Sequence, residues 1–283
     1  MPEIRIESLW IYPIKSCGAL AQNQLLVDQE GPLWDRKWMI VDESGQFITQ
    51  RTHPQMALIQ PILEKGQLIV EINGEQFPAA APLKDSLRLP QELMKVQVWK
   101  SSLQAALVQN AELTQALSDW LGKKVFLVEY GKNSQRKVTL KGEELKNSVR
   151  FADGFPWLLG NLESLSELNR GLAEQGTAAI PMNRFRPNIV VSGLAAYEED
   201  RLQSFNVRGI RFQNLKGCAR CPITTIDQTN GIKTGHEPLV YLAAHRKFNG
   251  QVYFGSNLVS EGEGFIKVGD LLEQANLIAS PII

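Results

Sequence analysis

The run Ile4-Arg-Ile-Glu-Ser-Leu-Trp-Ile-Tyr12 reads as a β-strand, rich in β-branched and aromatic residues. Outward from it, Asn23-Gln-Leu-Leu-Val27, Lys37-Trp-Met-Ile-Val41, Gln46-Phe-Ile-Thr49, Gln67-Leu-Ile-Val-Glu-Ile72 and Lys95-Val-Gln-Val-Trp99 have the same short, apolar character. Asp42-Glu-Ser-Gly45 and Asn73-Gly74 stand between them, where Gly or Asn supplies the positive φ of hairpin turns. This spacing predicts a small antiparallel barrel or sandwich. A helix is expected over 111–121, with Leu113, Ala116, Leu117, Trp120 and Leu121 on one face, Asn110 as N-cap and Gly122 just past the end. A domain boundary is expected there, dividing the chain into 1–122 and 123–283. Beyond it come a strand, Val125-Phe-Leu-Val-Glu-Tyr130, and a polar stretch, 131–150, expected as a long loop. A second helix over about 162–174 carries Leu162, Leu165, Leu168 and Leu172 with a Ser164-x-x-Glu167 box near its start. Asn188-Ile-Val-Val-Ser192, Arg211-Phe212 and Phe265-Ile-Lys-Val268 read as further strands. The fold class predicted is α+β, rich in β, with helices packed on the second half.

The 283 residues carry 30 Lys and Arg against 30 Asp and Glu, with 43% hydrophobic content. That composition suits a folded globular chain and excludes disordered and fibrous classes. Charge balance removes the surplus of cations that non-specific nucleic-acid binding requires. No stretch approaches the roughly 20 apolar residues of a membrane span, and Met1-Pro-Glu-Ile-Arg5 carries charge where a signal peptide needs an apolar run, so a cytoplasmic protein is expected. Three cysteines, Cys17, Cys218 and Cys221, are too few for a disulfide scaffold.

Chemistry concentrates in Gly217-Cys-Ala-Arg-Cys-Pro-Ile-Thr-Thr-Ile-Asp-Gln-Thr-Asn-Gly231. Two thiols two residues apart admit four readings. A structural zinc site closes with four ligands, and His53, His236 and His245 stand in no ligand-like spacing. A thioredoxin-type pair opens a helix, whereas Ile223-Thr-Thr-Ile226 is expected to continue as a strand. Two inert buried cysteines are the third reading. The fourth is a lone thiolate for a soft metal, its anionic form favoured by the adjacent Arg220. Cys17 is expected to be a small buried residue in a strand.

The Cys218-Ala-Arg-Cys221 segment with its Thr-Thr-Ile-Asp continuation resembles the molybdenum-ligand segment of MOSC-domain proteins, which include the mitochondrial amidoxime-reducing component and bacterial reductases of N-hydroxylated compounds. Leu9-Trp-Ile-Tyr-Pro-Ile-Lys-Ser-Cys17 and Asp35-Arg-Lys-Trp38 resemble the family's N-terminal β-barrel motifs; Asn183-Arg-Phe-Arg-Pro-Asn-Ile-Val-Val-Ser-Gly193, Phe254-Gly255 and Ile266-Lys-Val-Gly-Asp270 resemble those of the MOSC domain itself. The resemblance implies an N-terminal β-barrel over 1–122, a MOSC domain over 123–283, and Cys221 as the ligand of a molybdenum–pyranopterin cofactor. Lys15, Ser16, Arg36 and Arg186 would then line the pterin and phosphate, Ala219 and Arg220 would approach the cofactor beside the ligand, Asp153, Gly154 and Phe155 would cap the pterin, and Asn257 would stand near the metal. Charge-assisted donors suit a dianionic phosphate, and Arg supplies a planar fork that Lys lacks. The implied activity is reduction of small N-oxygenated substrates with electrons from a separate ferredoxin-type or flavin protein, since three cysteines cannot hold a two-iron cluster. The alternative is a non-catalytic cofactor or sulfur carrier. No nucleic acid and no membrane are expected as partners. The sequence departs from the family where Asp227-Gln-Thr-Asn-Gly231 replaces the common Asp-Pro-Asp-Thr-Gly, and at Phe155 and Asn257, where relatives carry Ser and Tyr.

Overall fold

The computed structural model describes residues 3–79 and 92–283. It is β-rich, with three α-helices among the described residues. The largest sheet runs Leu20–Gln22, Arg5–Ile11, Ile189–Ser192, Trp157–Asn161, Gln251–Glu261, Ile210–Ala219, Leu202–Val207 and Glu273–Leu277 in spatial order, with Lys247–Phe248 paired to Gln251–Glu261. The opening strand therefore joins residues nearly two hundred positions away, Ile6 opposite Val191 and Leu9 opposite Ile189. Its inward residues Ile6 and Leu9 pack with Trp157, Phe205 and Phe212 in one apolar core.

Pairing also crosses residue 122 the other way. Val125–Glu129 lies between Trp38–Asp42 and Ser101–Leu107, with Leu93–Val98 at the edge of that four-stranded sheet. Helix α1, Ala111–Leu121, covers the adjoining core: Leu113, Leu117 and Leu121 are buried against Trp38, Ile40, Leu68 and Val70. Both its ends follow local chemistry, since the Asn110 side chain accepts from Leu113 N and Gly122 takes the left-handed conformation at φ 66°. Asn73 and Gly74 likewise have positive φ, 52° and 84°, and close the hairpin between Gln67–Ile72 and Glu75–Pro78.

Three expectations are corrected. Residues 131–150 hold a hairpin, Lys137–Leu140 against Glu143–Ser148, turned by Lys141 and Gly142 at positive φ; Val138 and Val149 bury against Val259, contacts too sparse to show as alternation. Helix α2, Leu162–Glu174, is capped by the Asn161 side chain, leaving Ser164 buried inside it. Residues Pro222–Thr225 form a 3₁₀ turn where a strand was expected, because Pro222 removes a ladder donor and Thr225 Oγ1 bonds back to Pro222 O at 2.8 Å. Helix α3, Leu239–His245, packs across α2 at Gly171, where a Cβ would lie 2.1 Å from the Tyr241 hydroxyl oxygen. Only glycine permits that approach.

Ser164 donates to the fully buried carboxyl of Glu199, which also accepts from Asn161 Nδ2 at 3.0 Å. The Glu199 carbonyl accepts from Asn214 and Ser256, so this residue ties α2 to the largest sheet. Burial, reinforced by neighbouring Asp200, pushes its carboxyl up from 4.5 to about 7. Between these values the folded chain holds a proton that the unfolded chain has released, so stability falls as pH rises. Glu199→Gln removes that term. The unfolding free energy of the variant relative to the parent should rise by about 1.4 kcal/mol per pH unit from pH 5 to pH 7. Urea unfolding across that range checks it; parallel curves would refute the assignment.

Candidate functional site

Three tight loops aim cations at one place, and each depends on a non-glycine residue in the left-handed region: Ser16 at φ 64°, Arg36 at 45° and Arg186 at 58°. Such conformations cost on the order of 1–3 kcal/mol each and persist where surrounding contacts impose them. Here those contacts are backbone hydrogen bonds. Lys15 N donates to Trp38 O at 2.8 Å, Arg36 N to Tyr12 O at 2.9 Å and Arg186 N to Asn183 O at 3.2 Å.

The Lys15 amine, almost wholly buried, donates to Phe151 O at 2.8 Å and to Asp153 Oδ1. Burial lowers its proton affinity while Asp153 opposes that shift. Asp153 receives two further donors, Arg51 Nη2 at 3.3 Å and Trp99 Nε1 at 3.2 Å. Desolvation disfavours its charged form, but Lys15, Arg51 and Trp99 outweigh this and hold the carboxyl well below the usual carboxylate range. Beneath this loop the buried Arg136 donates to the carbonyls of Arg150, Ala152 and Asp153, which fixes the segment leading to Gly154 and Phe155.

On the opposite wall the guanidiniums of Arg36 and Arg186 each lie 4.2 Å from the centre of the Tyr12 ring. Asp35, 3% exposed, accepts from Tyr12 N at 2.8 Å, Arg36 Nη1 at 2.6 Å and Asn188 Nδ2 at 3.1 Å. Arg186 Nη1 donates to Gln228 Oε1 at 3.3 Å, while its Nη2 is buried without a partner. Burial pulls this guanidinium down to about 10, so it stays charged at neutral pH. Tyr12 itself is pushed up to about 12 by burial and stays neutral.

The thiols divide by environment. Cys17 is fully buried, in a turn and not the expected strand, and burial pushes it up to about 12, so it remains a protonated core residue. Cys218 and Cys221 are half-buried. Arg220 does not serve Cys221: its Nη1 donates to Cys218 Sγ at 2.8 Å and its Nη2 to Phe185 O at 2.7 Å. The donor at Cys221 Sγ is Arg51 Nη2, at 3.4 Å.

Lys15, Arg36, Asp153, Arg186 and the two half-buried thiols meet in one cleft of about 140 Å³. Its lining includes every residue singled out from sequence: Lys15, Ser16, Arg36, Asp153, Gly154, Phe155, Arg186, Ala219, Arg220, Cys221 and Asn257. Among the described residues, four cations therefore face a single carboxylate there. Arg186 also lines a second cavity of about 150 Å³, shared with Tyr12 and Gln228. Sequence reasoning missed Arg51, Trp99, Arg136 and the Tyr12–Asp35 pair. Asp35 stood inside a quoted motif; Arg51 and Arg136 carried no local signal.

Residues 3–124 match the MOSC N-terminal beta barrel domain and residues 146–273 the MOSC domain. The molybdenum cofactor sulfurase of Homo sapiens is 30% identical over 249 residues, 82% of this chain and 27% of that protein. Mitochondrial amidoxime reducing component 2 of Bos taurus is 29% identical over 291 residues, 95% of this chain and 82% of that protein. Mitochondrial amidoxime-reducing component 1 of Homo sapiens is 26% identical, covering 94% and 81%. The chain thus spans about a quarter of the human sulfurase and about four fifths of the reducing components.

Asp35→Ala should destabilise the fold by about 2–4 kcal/mol, because it strips a mostly buried guanidinium and a buried backbone N–H of their acceptor. Chemical denaturation measures this. A loss under 1 kcal/mol would mean that Asp35 does not hold the cationic wall together.

Proposed function

The chain belongs to the MOSC-domain proteins, and from that premise we propose that it binds a molybdenum–pyranopterin cofactor and reduces small N-oxygenated compounds, such as amidoximes and N-hydroxylated bases, with electrons from a separate donor protein. One observation carries the reading: among the described residues, a half-buried cysteine sulfur shares a cleft with four cations, one carboxylate, and a buried guanidinium nitrogen that has no partner. The cofactor fits this donor set. Its dianionic phosphate matches the excess of positive charge, and its polar pterin edge offers acceptors to Arg186 Nη2. A soft metal takes one thiolate from Cys221. Among the described residues no group of three or more His, Cys, Asp and Glu side chains could hold a metal ion, so further ligands would come from the cofactor's own sulfurs.

When bound, the cofactor supplies a two-electron centre able to accept oxygen from the substrate. This chain's residues do the rest. Lys15, Arg36 and Arg186 bind and orient the anion. Asp153, held ionised, accepts hydrogen bonds at neutral pH and does not serve as a proton donor. Phe155 and Asn257 form wall beside the thiol, one apolar and one polar, and Asn257 is held by its Nδ2 bond to Gly217 O at 3.2 Å. A carrier of cofactor or sulfur is the second reading, favoured by Cys218, a second thiol in the same cleft.

Protein purified from a cofactor-competent host should lose nearly all bound molybdenum on Cys221→Ser and keep most of it on Cys218→Ser. Arg186→Gln should weaken cofactor retention more than tenfold, the equivalent of about 1.5–3 kcal/mol for a charge-assisted contact. Metal and pterin analysis reads both; equal losses from the two cysteines would defeat the ligand assignment.

The activity is tested with benzamidoxime or N-hydroxycytosine. Reduced viologen should support turnover, and NADH alone should not, because no glycine-rich dinucleotide motif follows a strand in this sequence. Addition of a ferredoxin-type or flavin reductase should restore NADH-driven turnover. Turnover with NADH alone would refute the separate donor. No turnover with viologen at full molybdenum occupancy would favour the carrier.

A further inference from the structure

We propose that Arg51 is a positioning residue of the reaction centre, fastening the Cys221 sulfur to Asp153 and setting how strongly that sulfur donates to a bound metal; this rests on Cys221 being the ligand. A single nitrogen, Nη2, reaches both groups, at 3.4 Å from Cys221 Sγ and 3.3 Å from Asp153 Oδ2. The Trp99 ring, 4.9 Å away, lies against the same guanidinium and donates to the same carboxylate. Three partners thus fix the planar head. The backbone that carries it is fixed as well. Arg51 N donates to Thr49 Oγ1 at 3.2 Å, His53 N to Thr49 O at 3.0 Å, and the fully buried Gln50 clamps Ser16 O at 2.8 Å.

Among the described residues Arg51 is the cation within hydrogen-bond reach of the Cys221 sulfur. Arg220 is committed to Cys218 and Phe185 O, Arg36 to Asp35 and Asn188, and Lys15 to Phe151 O and Asp153. An N–H donor on a metal-bound thiolate withdraws electron density from sulfur, and the adjacent positive charge favours the more reduced metal. Removing Arg51 should therefore make the metal harder to reduce. It should also free the Asp153 loop from the sulfur while leaving the Lys15 contact intact.

The test compares parent, Arg51→Gln, Arg51→Lys and Cys221→Ser proteins from a cofactor-competent host. Molybdenum per chain is measured, and the midpoint potential of the metal is followed by paramagnetic resonance. Arg51→Gln should hold metal, shift the potential to more negative values and change the resonance signal. Arg51→Lys keeps the charge and should shift it less. If Cys221→Ser loses the metal while Arg51→Gln shows the parental potential and signal, the role of Arg51 is overturned and the ligand reading stands. Should Arg51→Gln arrive without metal, parental values in Arg51→Lys overturn the role instead. Cys221→Ser protein retaining metal with the parental signal overturns the ligand reading beneath both.

Discussion

An excess of positive charge held out of water around one cleft is the constraint on which the rest of this structure turns. Charges leave water only at a cost of several kcal/mol each unless partners replace the lost solvation. The protein replaces it piecemeal. Asp35 takes Arg36, the Tyr12 ring faces both Arg36 and Arg186, and main-chain carbonyls receive Arg136, Arg220 and Lys15. These partners are mostly neutral, so they solvate the cations without cancelling their charge. The result is a preorganised cationic wall whose remaining demand appears as the unpartnered nitrogen of Arg186.

That wall exists because strands distant in sequence are neighbours in the fold. The pairing of Arg5–Ile11 with Ile189–Ser192 brings the Lys15–Ser16 turn beside the Arg186 loop, and the pairing of Ile210–Ala219 with Gln251–Glu261 carries the two thiols toward them. Asn188 records the junction in one side chain: it donates to Trp10 O and Asp35, and accepts from Arg36 and Leu158 N. Left-handed backbone at Ser16, Arg36 and Arg186 turns the chain sharply where each strand hands over to the cleft. Such strain at the wall of a cleft is expected when the surrounding sheet over-determines the loops.

Much of this was legible from residues alone where the governing interaction is short-range. The helix Ala111–Leu121 announced itself through its apolar spacing, the Asn110 cap and Gly122, all within one turn of the residues they organise. Asn73-Gly74 marked its hairpin for the same reason. The hairpin within 131–150 was not legible, because its few apolar residues owe their burial to Val259 more than a hundred residues on. Ser164 looked like the start of a capping box, yet a buried partner, Glu199, had the stronger claim on its hydroxyl.

By itself, then, the sequence determined the β-rich class, the helix Ala111–Leu121 with both its caps and, through motif resemblance, the residues that line the cleft. Tertiary structure alone decided which of those residues touch. Arg220 adjoins Cys221 in sequence, but the bulged strand Ile210–Ala219 turns its guanidinium to Cys218 and Phe185 O, and Arg51, 170 residues away, takes the Cys221 sulfur. Adjacency along a chain sets the backbone path. A long side chain's partner is set by which acceptor the packed sheets leave within reach, and that is a property of the whole fold.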